Sequence, residues 1–347
     1  MSICVLALLA PRAQAGVANG GLSTAPAGDP LAGLTWGNYS GSLDEVFPAY
    51  RRAQGDVRRL LGEIALQPRV RWFGSWYSDD QAERIARHYI ANVTGGNPNV
   101  LAQMAVFRLH PWEAEACRRL PTAAEQASYM RWIQAFAAGI GSSRVALILQ
   151  PDLPFALCVP HHSKLPLQLV AYAARVFAAL PHTSVYIDVG AADWPSVGEA
   201  AGILRASGIA SARGFALGAT HYASTSDEIL FGHQVIGKLA AMGFPGRHFV
   251  INTAQNGRPF TYQQYHDPAT YDNAPVCSSP TAHRCVALGI PPTAQVAAVR
   301  WHLSPPVRSL AARYVDAYLW IGRPWLDQQS DPFDLARALA LARSNPF

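Results

Sequence analysis

The sequence predicts an α/β fold: a parallel β/α barrel built as a single domain. Three observations carry the prediction. From residue 70 onward, short apolar runs alternate with amphipathic segments of helical length, the pattern of parallel strands joined by helical crossovers. About seven such runs occur in one series, which favours a closed or nearly closed barrel over a doubly wound sheet. Two of them, 145–150 and 184–188, end at the carboxylates Asp152 and Asp188. A charge there is poor core design because desolvating it is costly, yet C-terminal strand ends are where barrels carry catalytic groups.

The first ten residues are apolar, and Ala13-Gln14-Ala15 before Gly16 has the small-residue pattern of a cleavage site. Residues 1–15 therefore resemble a secretory signal peptide, too short to span a membrane. Residues 16–34, rich in Gly, Ala, Pro and Ser, are expected to be an N-terminal arm, and 35–347 the catalytic domain. Strands are expected at 70–77, 104–109, 145–150, 184–188, 212–217, 248–252 and 316–321. Helices are expected at 79–93, 122–139, 165–180, 197–208, 226–243, 306–314 and 334–344. Ser78-Asp79-Asp80 marks the start of the first of these helices. The stretch 259–292, rich in Tyr, Gln, Asp and Pro, reads as an ordered loop, since loops this long are functional or disordered.

Composition narrows the function. Of 347 residues, 50% are hydrophobic and 15% charged, which excludes disorder and permits a large core. The net charge of +5 comes from scattered arginines with no basic block and no interleaved aromatics, so nucleic acid is not an expected partner. No later run reaches membrane-spanning length. No Gly-x-Gly-x-x-Gly or Walker loop follows a strand, which removes nucleotide cofactors. Cleavage would leave four cysteines, which allow three pairings. The close spacing of Cys277 and Cys285 suits a local staple, and Cys117 and Cys158 each follow a strand, so Cys117–Cys158 and Cys277–Cys285 are expected, in keeping with export to an oxidising compartment. No Cys or His spacing suits a metal, and His161-His162 reads as a polar loop pair.

Three acids at strand ends, Asp152, Asp188 and Asp327, suggest general acid/base chemistry on a neutral, hydroxyl-rich substrate. Asp152 has apolar neighbours on both sides, which raises its pKa and suits a general acid. Asp188 could hold that proton or stabilise positive charge on a sugar ring. Asp193 reads as a helix cap that could serve instead. Trp72, Trp76, Trp112, Trp194, Trp301, Trp320 and Trp325 lie in or near strand ends, where their planes could pack on the C–H faces of sugars. His221-Tyr222, Asn252-Thr253 and Gln255-Asn256 follow later strands and offer neutral partners for hydroxyls.

The order of these motifs resembles glycoside hydrolase family 6. The resemblance rests on Gln150-Pro151-Asp152, Tyr186-Ile187-Asp188 with Gly190 and Trp194, Asn252-Thr253 with Asn256-Gly257, and Leu319-Trp320-Ile321. It implies a distorted, seven-stranded barrel with an active-site cleft or tunnel and inverting hydrolysis of β-1,4-glucan; the protein is expected to be secreted, a monomer, and to use no cofactor. The partner would be a β-glucan polysaccharide or cello-oligosaccharide. By position, Asp152 resembles the family's proton donor, Asp188 the aspartate after the next strand, Trp194 and Trp76 aromatics of the glucose cleft, and Asp327 falls near the base. The chain departs from the pattern at Gln150 for Glu, Ala191 for His, Gln255 for Arg, and Gly322 or Arg323 and Leu326 for Lys and Glu. Where the family has Arg-Asp-Cys, this chain has Glu113-Ala114-Glu115-Ala116-Cys117, so Glu115 or Glu113 would tune the donor. The short segment after Asp152 favours an open cleft and endo action. The rivals are an inverting hydrolase of another β-glucan and a non-catalytic glycan-binding barrel.

Overall fold

One sheet of eight parallel strands curls into a barrel in the computed structural model, which describes residues 28–265, 267–279 and 281–347. The expected signal peptide, and the expected arm up to residue 27, lie outside the described residues. The strands are β1 (Thr35–Trp36), β2 (Arg71–Gly74), β3 (Val100–Phe107), β4 (Val145–Leu149), β5 (Thr183–Asp188), β6 (Gly214–Leu217), β7 (His248–Asn252) and β8 (Val315–Leu319). Each of β2 to β7 pairs with the next in chain order, while the two-residue β1 extends the same edge of β3 that β2 occupies.

No ladder joins β8 back to β2 among the described residues. The seam is closed instead by the Val70 amide, which donates to the Trp320 carbonyl at 2.9 Å, and by the Trp72 indole, which donates to the Ile321 carbonyl at 2.8 Å.

The described residues also form ten α-helices, besides short 3-10 turns: α1 (Phe47–Arg52), α2 (Gly55–Ala65), α3 (Asp79–Thr94), α4 (Glu113–Ala116), α5 (Ala123–Ile140), α6 (Leu165–Ala178), α7 (Val197–Ala206), α8 (Thr225–Ala241), α9 (Pro305–Tyr314) and α10 (Leu335–Arg343). Their starts follow from capping chemistry. Ser78 with Gln81, Thr122 with Glu125, and Ser196 with Glu199 form capping boxes that satisfy otherwise orphaned amides. No helix among the described residues is long and apolar enough to cross a membrane.

Side chains alternate across each strand. In β4, Ala146 and Ile148 face the barrel lumen, and Val145, Leu147 and Leu149 face the helices. Both faces are buried, so the run is apolar throughout. The lumen is filled by large side chains (Trp72, Phe107, Tyr186) against small ones (Ala105, Ala146, Ala216, Ala317).

Two strand boundaries depart most from the sequence expectation. The strand expected at 70–77 ends at Gly74, and the Tyr77 amide turns back to the Gly74 carbonyl, which throws Trp76 clear of the sheet. The strand expected from 104 begins at Val100, because Gln103, a polar residue that interrupts the apolar run, is itself buried. Helices α1 and α2, absent from the sequence expectation, pack with α10 over a separate apolar cluster beside the seam.

The lower end of the barrel, at the strand N-termini, is plugged. Leu31 of the N-terminal arm is buried in the lumen cluster. Beside it, the fully buried Asp316 accepts hydrogen bonds from the Tyr186 hydroxyl at 2.7 Å and from Arg213 Nε and Nη2 at 2.9 Å each, with His248 Nδ1 at 3.1 Å. Burial would raise the Asp316 pKa, but the Arg213 bonds and charge, with His248, outweigh it and hold the group below the usual range.

Candidate active site

At the opposite end, the segments leaving the strand C-termini converge on a cleft of about 810 Å³. Trp72 and Trp76 come from β2 and the turn after it, Trp112 and Glu113 from beyond β3, and Asp152 and Phe155 from beyond β4. Asp193 and Trp194 follow β5, and Thr220 and His221 follow β6. Tyr262, Gln263, Tyr271 and Asp272 belong to the long loop after β7, and Arg323, Gln328 and Gln329 follow β8.

Asp152 sits at the centre of this arrangement, partly exposed to the cleft. Both it and Gln150 hold left-handed backbone (φ +63° and +55°), a costly conformation for residues other than glycine. That turn is braced: the Gln150 amide donates to Val106 O, and its side-chain Oε1 accepts from the Leu109 amide. Burial raises the Asp152 pKa to about 6, against the Thr220 hydroxyl, which donates to Oδ1 at 2.7 Å, and the positive influence of His221 and Arg323.

Asp188 lies beneath, fully buried and outside the cleft wall. Its Oδ1 accepts from the amides of Asp152 (3.1 Å) and Gly190 (3.0 Å), and Oδ2 has no partner. Burial, then the charge of Asp152, pushes its pKa far up, so Asp188 is held neutral. The expectation that Asp188 would keep Asp152 protonated changes accordingly, because the main cause of the raised Asp152 pKa is burial.

Of the two glutamates weighed at the shifted motif, Glu113 lines the cleft. Burial, followed by repulsion from Asp152 and Asp272, raises its pKa to about 7. Glu115 instead points to Arg119, Oε1 accepting from Nε at 2.8 Å, and is a surface ion-pair partner. The Cys117–Cys158 disulfide ties the Glu113 turn to the turn following Asp152, and Cys277–Cys285 staples the long loop.

Asp193 is more than a helix cap. Its Oδ1 pairs with His221 Nδ1 at 2.8 Å, and Oδ2 accepts from the Tyr262 amide at 2.6 Å. The Gln263 side chain donates to its carbonyl. Asp193 thereby pins the long loop to the segment after β5. Burial works against its ionisation, but the His221 contact wins and its pKa falls.

Trp76, nearly half exposed, offers an open indole face at 49% exposure, and Trp194 stacks on His221 with centroids 5.0 Å apart. Trp112 packs edge-on against His110.

Other expected site residues lie away from the cleft wall. Trp325 and Tyr222 are core residues, Trp325 beside Trp320, and Tyr222 stacked on Phe260. Trp301 packs against Phe347 on the outside. Asn252 knits strand ends together, its Nδ2 donating to Gly218 O and its Oδ1 accepting from the Ile321 and Gly322 amides. Gln255 donates to His221 O, and Asn256 to Ala223 O. Asp327 is exposed beside the cleft, Oδ1 accepting from Asn273 Nδ2 at 2.7 Å. The physical reason is common to these polar groups: segments leaving a parallel sheet carry unpaired backbone groups that buried amides must satisfy.

Sequence reasoning did not single out Asp272, Thr220 or Gln328, and named Arg323 only as a departure from the family pattern; all four line the cleft. Asp272 lies in the loop judged functional, and nothing in its neighbours Tyr271 and Asn273 distinguishes it. Arg323 stacks over Trp72 at 4.5 Å, and burial lowers its pKa to about 10. Among the described residues no group of three or more His, Cys, Asp or Glu side chains is arranged to hold a metal ion.

The sequence model for glycosyl hydrolases family 6 matches residues 34–332. Endoglucanase A of Cellulomonas fimi is 30% identical over 227 residues, 64% of this chain and 47% of that protein. Endoglucanase 1 of Streptomyces halstedii is 29% identical over 243 residues, 67% of this chain and 73% of that protein. The chain thus spans about half the length of the first of these relatives. Among solved structures, the endoglucanase Cel6 from Mycobacterium tuberculosis, in complex with methyl-cellobiosyl-4-deoxy-4-thio-β-D-cellobioside, matches with a TM-score of 0.73 at 25% identity, covering 91% of this chain and 99% of that one. The catalytic core of the cellobiohydrolase Cel6A from Chaetomium thermophilum shares the fold, with a TM-score of 0.66 at 19% identity over 92% of this chain and 99% of that one.

Proposed function

The chain belongs to glycosyl hydrolase family 6, and on that premise we propose that it hydrolyses β-1,4-glucosidic bonds of cellulose or a related β-glucan, with inversion and within chains. The observation that carries this reading is Asp152: a carboxyl raised to about 6, facing an open cleft with Trp76, Trp112 and Trp194 on its walls. Indole faces are suited to the C–H faces of a glucan, whose polymer length suits an open cleft.

In the mechanism, Asp152 enters the reaction protonated and delivers its proton to the glycosidic oxygen as the bond to C1 breaks. Thr220, hydrogen-bonded to the same carboxyl, steadies the anion left behind. Neutral Asp188 fixes the Asp152 backbone through one amide and adds no charge at this stage. Water attacks C1 from the other face, and a carboxylate about 6.5–9.5 Å from the acid takes its proton, the spacing that leaves room for a water. The endoglucanase relatives and the bound thio-cello-oligosaccharide of the Mycobacterium tuberculosis structure support this substrate class. Two disulfides favour an exported protein.

The test is proton NMR of cellohexaose digestion by the protein and by Asp152→Ala. The expected result is α-anomer released first by the wild type and absent with the variant. Early β-anomer, or undiminished turnover by Asp152→Ala, overturns the reading.

A further inference from the structure

Four carboxylates line the cleft: Asp152, Glu113, Asp193 and Asp272. If Asp152 is the acid, the base is to be sought among the others. Asp193 is occupied, one oxygen on His221 and the other on the Tyr262 amide. Glu113 follows β3, the strand next to the one that carries Asp152, and the Cys117–Cys158 disulfide holds the two turns together. It is on the acid's own side of the cleft. Asp272 comes from another part of the sheet: it follows β7, three strands further round from β4, and lines the same cleft as Asp152. No hydrogen bond to its carboxylate is found among the described residues, and the residue is exposed.

The backbone around Asp272 is anchored on three sides. The Tyr222 hydroxyl donates to the Asp272 carbonyl at 3.3 Å, the Tyr271 hydroxyl to Asp193 Oδ2 at 3.4 Å, and Asn273 Nδ2 to Asp327 Oδ1 at 2.7 Å. The aspartate that sequence order placed near the base, Asp327, is not among the residues lining the cleft and gives one oxygen to the neighbour of Asp272.

Resting on the proposed hydrolysis, we propose that Asp272, carried by the long loop after β7, is the catalytic base, and that Asp327 positions it through Asn273. The step balances as follows. The water oxygen bonds to C1 as the C1–O glycosidic bond breaks. The Asp152 proton goes to the departing oxygen, and Asp272 takes the proton released by water. Exchange with solvent restores both carboxyls.

Azide, a nucleophile that needs no base, tests this. Asp272→Ala is expected to lose about 100-fold or more in kcat, the usual range for a general base. Added azide should restore turnover and yield an α-glycosyl azide, an outcome a merely structural defect does not give. Asp272→Glu should keep part of the activity. Asp327→Ala should lose less and give no azide product. An α-azide from Asp327→Ala or Glu113→Ala, wild-type turnover by Asp272→Ala, or its inactivity without azide rescue, each overturns the assignment. These results require a wild type that inverts cello-oligosaccharides; retention or inactivity there defeats the proposed function itself.

Discussion

Two aspartates, Asp316 and Asp188, are equally buried at opposite ends of one barrel, and they sit in opposite charge states. Strand β5 touches both: the Tyr186 hydroxyl reaches down to Asp316, and two residues along the same face stands Asp188. At the lower end, Asp316 is surrounded by donors and a cation, and stays ionised. At the upper end, Asp188 receives two amides on one oxygen and nothing on the other, and stays protonated. Burial sets the cost of a charge, and the partners decide whether it is met. The lower end is built for cohesion. The upper end carries acids that are left short of partners, the condition in which a carboxyl keeps a proton to give away.

Removing the better-paired member should have the larger effect on stability. Asp316→Ala strands Arg213 and the Tyr186 hydroxyl, and breaking a buried ion pair in this way costs about 3–5 kcal/mol. Denaturant unfolding measures it, with activity per folded molecule retained. A loss below about 1 kcal/mol would end the contrast.

Asp188→Asn should depend on pH. Because the folded pKa is raised, the Asp188 contribution is fully present below the unfolded value near 4 and is lost as pH rises toward the folded one. Asparagine does not ionise, so the variant should lose less stability than the wild type as pH rises above about 4, by about 1.4 kcal/mol for each pH unit covered between the two pKa values. Melting temperatures of both proteins across that window decide it, and a constant gap means Asp188 is not held neutral.

The smallest effect is kinetic. Thr220 donates to the Asp152 carboxylate and favours its charged form. Thr220→Val should move the alkaline limb of kcat/KM upward from about 6 by roughly one unit or less. A downward shift would mean the hydroxyl serves the protonated acid instead.

The barrel, and the two acids at its strand ends, were legible because apolar runs closed by a carboxylate are a local signal. Both disulfides were legible from cysteine spacing and the neighbouring strands. Which polar residues face the cleft was not. Tyr222, Asn252 and Gln255 carry the composition of a sugar site, but unpaired backbone and aromatic stacking on Phe260 claim them. The choice between Glu113 and Glu115 turned on a positive φ of 50° at Glu113, and no local pattern announces it. Asp272 depended on the path of a loop fixed by contacts with residues some 80 positions earlier, at Asp193, and about 50 later, at Asp327.

The seam between β8 and β2 also gives the molecule a direction of least stiffness. Six ladders tie the strands from β2 to β8, whereas among the described residues no ladder spans the remaining gap, which a backbone hydrogen bond and the Trp72 indole bridge. Thermal motion concentrates where the fewest bonds resist it. Trp72 stands on one lip of that gap and Arg323 on the other, stacked together. The cleft can therefore breathe along this line, its walls yielding while the ionised plug below holds the barrel in shape.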